Sequence, residues 1–104
     1  MTIENVIAIL REILSQTRSD MLEADTFGIA DNTAAINRLA LTALHNYKCE
    51  DHRAFFHTTL ACLDMAKDKR RQSVFNTLAL WSARLERETT TLGALGVDVN
   101  YVYG

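Results

Sequence analysis

The amino-acid sequence predicts an all-α protein, built as an antiparallel bundle of four helices. Its 104 residues include no proline and only four glycines, and these two residue types interrupt helices most often. Apolar residues recur at alternating spacings of three and four along most of the chain, as they do on one face of an amphipathic helix. Short connections favour antiparallel neighbours, and the length suits a single domain over residues 1–104.

The first helix is predicted over residues 2–22, where the apolar side chains form a single stripe. Thr2 is its expected N-cap, because a hydroxyl oxygen can accept a hydrogen bond from an unpaired N–H of the first turn. The following stretch, EADTFGIADNT, is predicted to be the longest internal loop, because Gly28 permits a positive φ and the polar side chains compete with helical hydrogen bonds. Phe27 and Ile29 are expected to plug the core from this loop, and contact with a partner is the alternative.

The second helix is predicted over residues 32–48, with Asp31 or Asn32 at its start. A short connection follows, and the third helix is predicted over residues 51–66. Asp51 is the expected N-cap of the third helix, since a carboxylate there accepts from the first-turn N–H groups and complements the helix dipole.

The third helix carries more apolar surface than one core-facing stripe needs. On a helical wheel its larger side chains form two stripes, one of Phe56, Leu60 and Leu63 and the other of Phe55, Thr58, Cys62 and Met65. A helix of this kind is either central in its domain or shared with a partner. The sequence alone leaves both alternatives open.

The fourth helix is predicted over residues 73–91, with Ser73 as its cap, after the wholly polar run KDKRRQS. A single bent helix that joins the third and fourth is the alternative, because their apolar stripes would be in phase. Trp81 lies within the stripe of the fourth helix and is assigned to the core. The tail, residues 93–104, alternates as a strand does but has no second strand to pair with, so it is expected to be irregular or strand-like.

His45, Cys49 and His52 are spaced four and three residues apart and would share one face of an unbroken helix. Metal binding is therefore an alternative, but a corner of capping and packing residues is preferred, because Asp51 signals a new helix start within the cluster. The chain contains no glycine-rich phosphate loop, no GxSxG and no HExxH motif. We expect no metal, no cofactor and no enzymatic activity.

A basic corner, residues 67–71, is interpreted first as a solvated turn. Docking to an acidic protein surface and nucleic-acid binding are the alternatives, the latter because a helix-turn-helix also presents basic residues to phosphates. The formal net charge of −2 opposes nucleic-acid binding. Charge is unevenly spread, since residues 1–31 carry two basic and six acidic side chains, whereas residues 67–104 carry six basic and four acidic ones. Nucleic acid is therefore kept as the alternative function.

The preferred function is a regulatory protein–protein interaction module, because apolar surface exceeds what a lone small bundle can cover. Such a module would act as an adaptor, as a chaperone, or as an inhibitor that occludes the oligomerisation surface of a larger regulator. It is expected to form a homodimer and to be cytoplasmic, with no membrane span in its sequence. The predicted partner-binding residues are Phe55, Cys62, Met65, Val99, Tyr101 and Tyr103.

Overall fold

A computed structural model describes the backbone of residues 1–27 and 32–94 and the side chains of residues 1–23 and 32–88. The four helices are α1 (Ile3–Phe27), α2 (Thr33–Lys48), α3 (His52–Ala66) and α4 (Arg71–Ala94). They pack against one another, and no strand occurs within the described backbone. The all-α prediction is confirmed. Helix α4 extends beyond its predicted bounds at both ends, so residues 93–94 of the predicted tail are helical, and residues 95–104 lie outside the described part.

Helix α1 is longer than predicted, because it continues past residue 22 to Phe27. Residues 23–27 contain neither glycine nor proline, and adding a residue to an existing helix is far easier than starting one. Polar side chains alone therefore did not end the helix there. Gly28 and Ile29, and the side chain of Phe27, lie outside the described residues, so their predicted roles stay predictions.

Two of the predicted N-caps are confirmed by hydrogen bonds. The Thr2 hydroxyl accepts from the backbone N–H of Asn5 at 3.3 Å, and the Asp51 carboxylate accepts from the N–H of Ala54 at 3.2 Å. Asn32 directly precedes α2 but makes no capping bond with its side chain. Its amide instead donates to the carbonyl of Met65 at 3.4 Å, which links the start of α2 to the end of α3.

Helices α2 and α3 end in left-handed residues that are not glycine. Glu50 has a φ of 60° and Lys67 a φ of 55°. After α3, the N–H of Lys67 donates to the Asp64 carbonyl at 3.1 Å and the N–H of Asp68 to the Leu63 carbonyl at 3.0 Å, which is the Schellman arrangement. Both corners therefore accept some backbone strain in order to satisfy the last carbonyls of a helix.

The predicted break between α3 and α4 is confirmed, so the single bent helix is wrong. Ser73 as the cap is also wrong, because the first helical bond of α4 runs from the Val74 N–H to the Arg70 carbonyl at 3.0 Å. The Asp68 carboxylate accepts from the Arg70 N–H at 2.7 Å and turns the chain into the helix. Ser73 consequently lies within the first turn.

Helix α2 packs between α1 and α3, whereas α4 packs against α3 and against α1. The Thr77 hydroxyl contacts the Met1 carbonyl at 3.4 Å, so α4 continues to Ala94 beyond the start of α1.

The radius of gyration is 16.1 Å, whereas a compact chain of this length would have about 13 Å. This elongation leaves parts of the helices covered on one side only. The buried apolar residues are Val6, Ile9, Leu10, Ile13, Ile36, Ala40, Ala43, Phe55, Cys62, Leu63, Val74 and Leu78.

Candidate functional site

Two of the predicted partner-binding residues lie inside the chain. Phe55 and Cys62 are both 0% exposed. The Phe55 ring packs 5.1 Å from the ring of Tyr47 and 5.7 Å from that of Trp81, and the Cys62 thiol faces the Ile36 carbonyl at 3.8 Å. Because α3 lies between α2 and α4, the chain itself covers both of these side chains. We therefore correct the predicted site by removing Phe55 and Cys62 as direct contacts of a partner.

The remaining predicted partner-binding residues are one exposed methionine and three residues of the tail. Met65 is 37% exposed, on the turn of α3 that contacts the start of α2. Val99, Tyr101 and Tyr103 lie outside the described residues, so their role stays a prediction. Trp81 is partly buried and packs against the core, in agreement with its assignment.

The histidine and cysteine cluster is separated by the corner between α2 and α3. His45 and Cys49 remain close, with 3.5 Å between Nε2 and Sγ. His52 is the first residue of α3, and its ring does not join His45 and Cys49, because it packs edge-on against Trp81 at 4.9 Å. Among the residues with described side chains, no group of three metal-ligating residues comes together. Burial, and secondarily the charge of Asp68, raises the pKa of the Cys62 thiol to about 11, so this cysteine is protonated at neutral pH.

The arginines of the basic corner are held by carboxylates of the same chain. Arg70 donates to Asp68 at 2.8 Å and to Glu12 at 3.2 Å, and Arg71 pairs with Asp64. The hydrogen bond from Arg70 is the main reason why the pKa of Asp68 is lowered, and the same bond raises the pKa of Arg70. Much of the positive charge at this corner is therefore neutralised locally.

Two open hollows lie one after the other between α3 and α4, and together they are called the α3/α4 groove. One end encloses about 480 Å³ and the other about 330 Å³, and the rings of Phe56 and Phe75 stand 6.0 Å apart between the two hollows. On each helix the lining residues recur every three or four positions, which is why they form two continuous walls. The lining residues include Arg53, Phe56, Leu60 and Asp64 on α3, and Arg71, Phe75, Ala79 and Glu86 on α4.

The groove has an apolar floor and charged rims. Phe75 is 43% exposed, and Phe56 and Leu60 are half-buried beside it. Ala79 leaves the floor shallow, so that another helix could approach closely. An apolar centre inside a polar rim is the usual arrangement of protein interfaces.

The sequence interpretation assigned Phe56 and Leu60 to a stripe but did not single out Phe75. A signal for Phe75 was present, because this residue lies one position after Val74 and therefore off the stripe that Val74 shares with Leu78. An aromatic residue beside a helical core stripe widens the apolar face toward a neighbouring helix. This observation could have predicted the groove wall on α4.

Within the described ranges, no helix is both long and apolar enough to cross a lipid bilayer. Compared with protein-family models, with curated proteins and with solved structures, this chain matches none of them.

Proposed function

We propose that this chain is a protein-binding module that receives an apolar helix of another protein in the groove between α3 and α4. The observation that carries this proposal is the solvent-exposed ring of Phe75, which lies beside Phe56 and Leu60 on an open, apolar floor. Water in contact with such a floor is released when another apolar surface covers it. Two antiparallel helices with a groove between them provide the geometry in which an amphipathic helix binds.

The role that this binding supports best is regulatory. A helix that lies in the groove has its own apolar stripe covered, so that it can no longer pair with other helices. An adaptor, a chaperone, or an inhibitor of the oligomerisation surface of a larger regulator works in this way. We place this activity in the cytoplasm, where the unpaired thiols of Cys49 and Cys62 would stay reduced.

Nucleic-acid binding through residues 67–71 has weaker support. Arg70 and Arg71 are engaged with carboxylates of the chain itself, so binding a phosphate would first require breaking these pairs. Of the four basic residues in this corner, only Lys67 and Lys69 form no ion pair within the part of the chain that has described side chains.

The proposal is tested with two glutamate variants of α4, Phe75→Glu and Leu80→Glu. Leu80 is the matched control, because it is an apolar residue on the same helix, is 74% exposed and does not line the groove. Each immobilised variant is incubated with a lysate of the native cell, and the retained proteins are identified by mass spectrometry.

We expect wild type and Leu80→Glu to retain the same partner and Phe75→Glu to lose it, because a charge would be buried in the apolar floor. Retention of the same proteins by both variants, or loss by both, would contradict the assignment of the groove. Circular dichroism spectra of the variants verify that each remains helical.

A further inference from the structure

We infer that a second copy of this chain covers the α3/α4 groove of the isolated protein, docked about a two-fold axis that runs along the groove. This inference rests on the proposed function, because it names a partner for the same surface. Its basis is the arrangement of four charges on the rims. At one end Arg53 of α3 faces Glu86 of α4, and at the other end Asp64 of α3 faces Arg71 of α4.

The signs alternate along each rim and also across the groove. A rotation of 180° about the groove axis places α3 of one copy over α4 of the other and keeps each end over the same end. After this rotation, each charged residue on the rim of one copy lies opposite a residue of the opposite charge on the rim of the other copy. Arg53 then faces Glu86 of the partner subunit, and Asp64 faces Arg71 of the partner subunit. The rim is therefore complementary to itself, a property that an unrelated helix would have to match by its own sequence.

The same rotation gives an ordinary four-helix arrangement. Within one copy α3 and α4 are antiparallel, so α3 of one copy is also antiparallel to α4 of the other. Each helix then has two antiparallel neighbours, as in an up-and-down bundle. The rings of Phe56 and Phe75 from both copies meet at the centre and become covered.

A two-fold axis across the groove would also bring opposite charges together, but it would pair unpaired charges with charges that are already paired within the chain. Among the residues with described side chains, Arg53 and Glu86 form no ion pair within the chain, whereas Asp64 and Arg71 pair with each other. An axis across the groove would direct Arg53 at an Asp64 that Arg71 already holds. With the axis along the groove, Arg53 of each copy pairs with Glu86 of the partner subunit, so this ion pair forms twice in the dimer.

The test is a charge-reversal cycle on the full chain, followed by sedimentation equilibrium at low ionic strength. We expect wild type to reach the mass of two chains as its concentration rises. Arg53→Glu and Glu86→Arg should each raise the dimer dissociation constant about tenfold, because each reversal acts at two symmetric pairs. The double variant should return to within about twofold of wild type, since each pair is restored with inverted polarity. Arg87→Glu, an exposed reversal on α4 outside the groove lining, should leave the dissociation constant unchanged.

Three results would overturn the inference: a single-chain mass at every concentration, a dimer that neither reversal weakens, or a double variant weaker than both single ones. The last result would mean that Arg53 meets Asp64 of the partner subunit. Recovery in the double variant also shows that the single variants had not merely misfolded. A single-chain mass together with partner capture that depends on Phe75 would contradict the homodimer and support the proposed function. Dimerisation without any captured protein would support the homodimer and contradict the proposed function.

Discussion

Two adjacent threonines of α3 have opposite hydrogen-bonding states, and this contrast gives a quantitative prediction. Thr59 is 0% exposed, and its hydroxyl has no hydrogen-bond partner within the described structure. The Thr58 hydroxyl donates to the Ala54 carbonyl at 2.6 Å and accepts from the Asn46 amide at 3.1 Å. The Thr59 hydroxyl therefore gives up its hydrogen bonds to water on folding and gains none within the described structure, whereas the Thr58 hydroxyl links α3 to α2.

Thr59→Val replaces the buried hydroxyl with a methyl group of similar size and so removes an uncompensated polar atom. We expect the free energy of unfolding to rise by about 1–2 kcal/mol, because burying an unpaired hydroxyl costs about 1–3 kcal/mol. Helix propensity hardly changes, since valine and threonine rank close together. Thr58→Val is the matched control and should lower the free energy of unfolding by about 1 kcal/mol, because the Asn46 amide loses its acceptor.

Urea unfolding followed by circular dichroism measures both variants. The slope of the unfolding free energy against urea concentration should be the same in the variants and in wild type. A change in the urea midpoint then reports a change in stability alone. A midpoint for Thr59→Val at or below that of wild type would refute the reasoning, because the hydroxyl would then have to be stabilised in the folded protein. Equal shifts for Thr58→Val and Thr59→Val would refute it as well, since the two sites would not differ in hydrogen bonding.

Two further predictions concern the corner between α3 and α4. Lys67→Gly should raise the free energy of unfolding by about 0.5–1 kcal/mol in the same urea assay, because glycine adopts the left-handed conformation without strain; Lys69→Gly, at a position without a positive φ, should not. Asp68→Asn should destabilise the protein at neutral pH, because the hydrogen bond from Arg70 lowers the pKa of the Asp68 carboxyl in the folded state. That contribution is present above the unfolded pKa of about 3.9 and disappears as pH falls through the lower folded pKa, so the difference in midpoint between variant and wild type should close on acidification. A difference that stays constant down to pH 2 would contradict the assignment.

The helices could be predicted because their signals are local. A stripe of apolar residues and a cap such as Thr2 or Asp51 depend only on neighbours within one or two turns, and these predictions were confirmed. The predicted ends of α2 at residue 48 and of α3 at residue 66 are also the observed ones. The start of α4 was placed too late, because Ser73 resembled a cap, whereas the Asp68 carboxylate turns the chain into the helix. The end of α1 was placed too early, because polar side chains after residue 22 do not stop a helix that has already formed.

The sequence by itself determined four amphipathic helices, their approximate bounds and the surplus of apolar surface on α3. Only the tertiary structure decided which part of that surface is covered. Phe55 and Cys62 are enclosed because α2 and α4 both pack against α3, whereas Phe75 remains at an open groove beside Phe56. The physical reason is that periodicity fixes the direction of a side chain from its own helix axis but not which neighbouring helix lies in that direction. That neighbour is set by the packing of all the helices together.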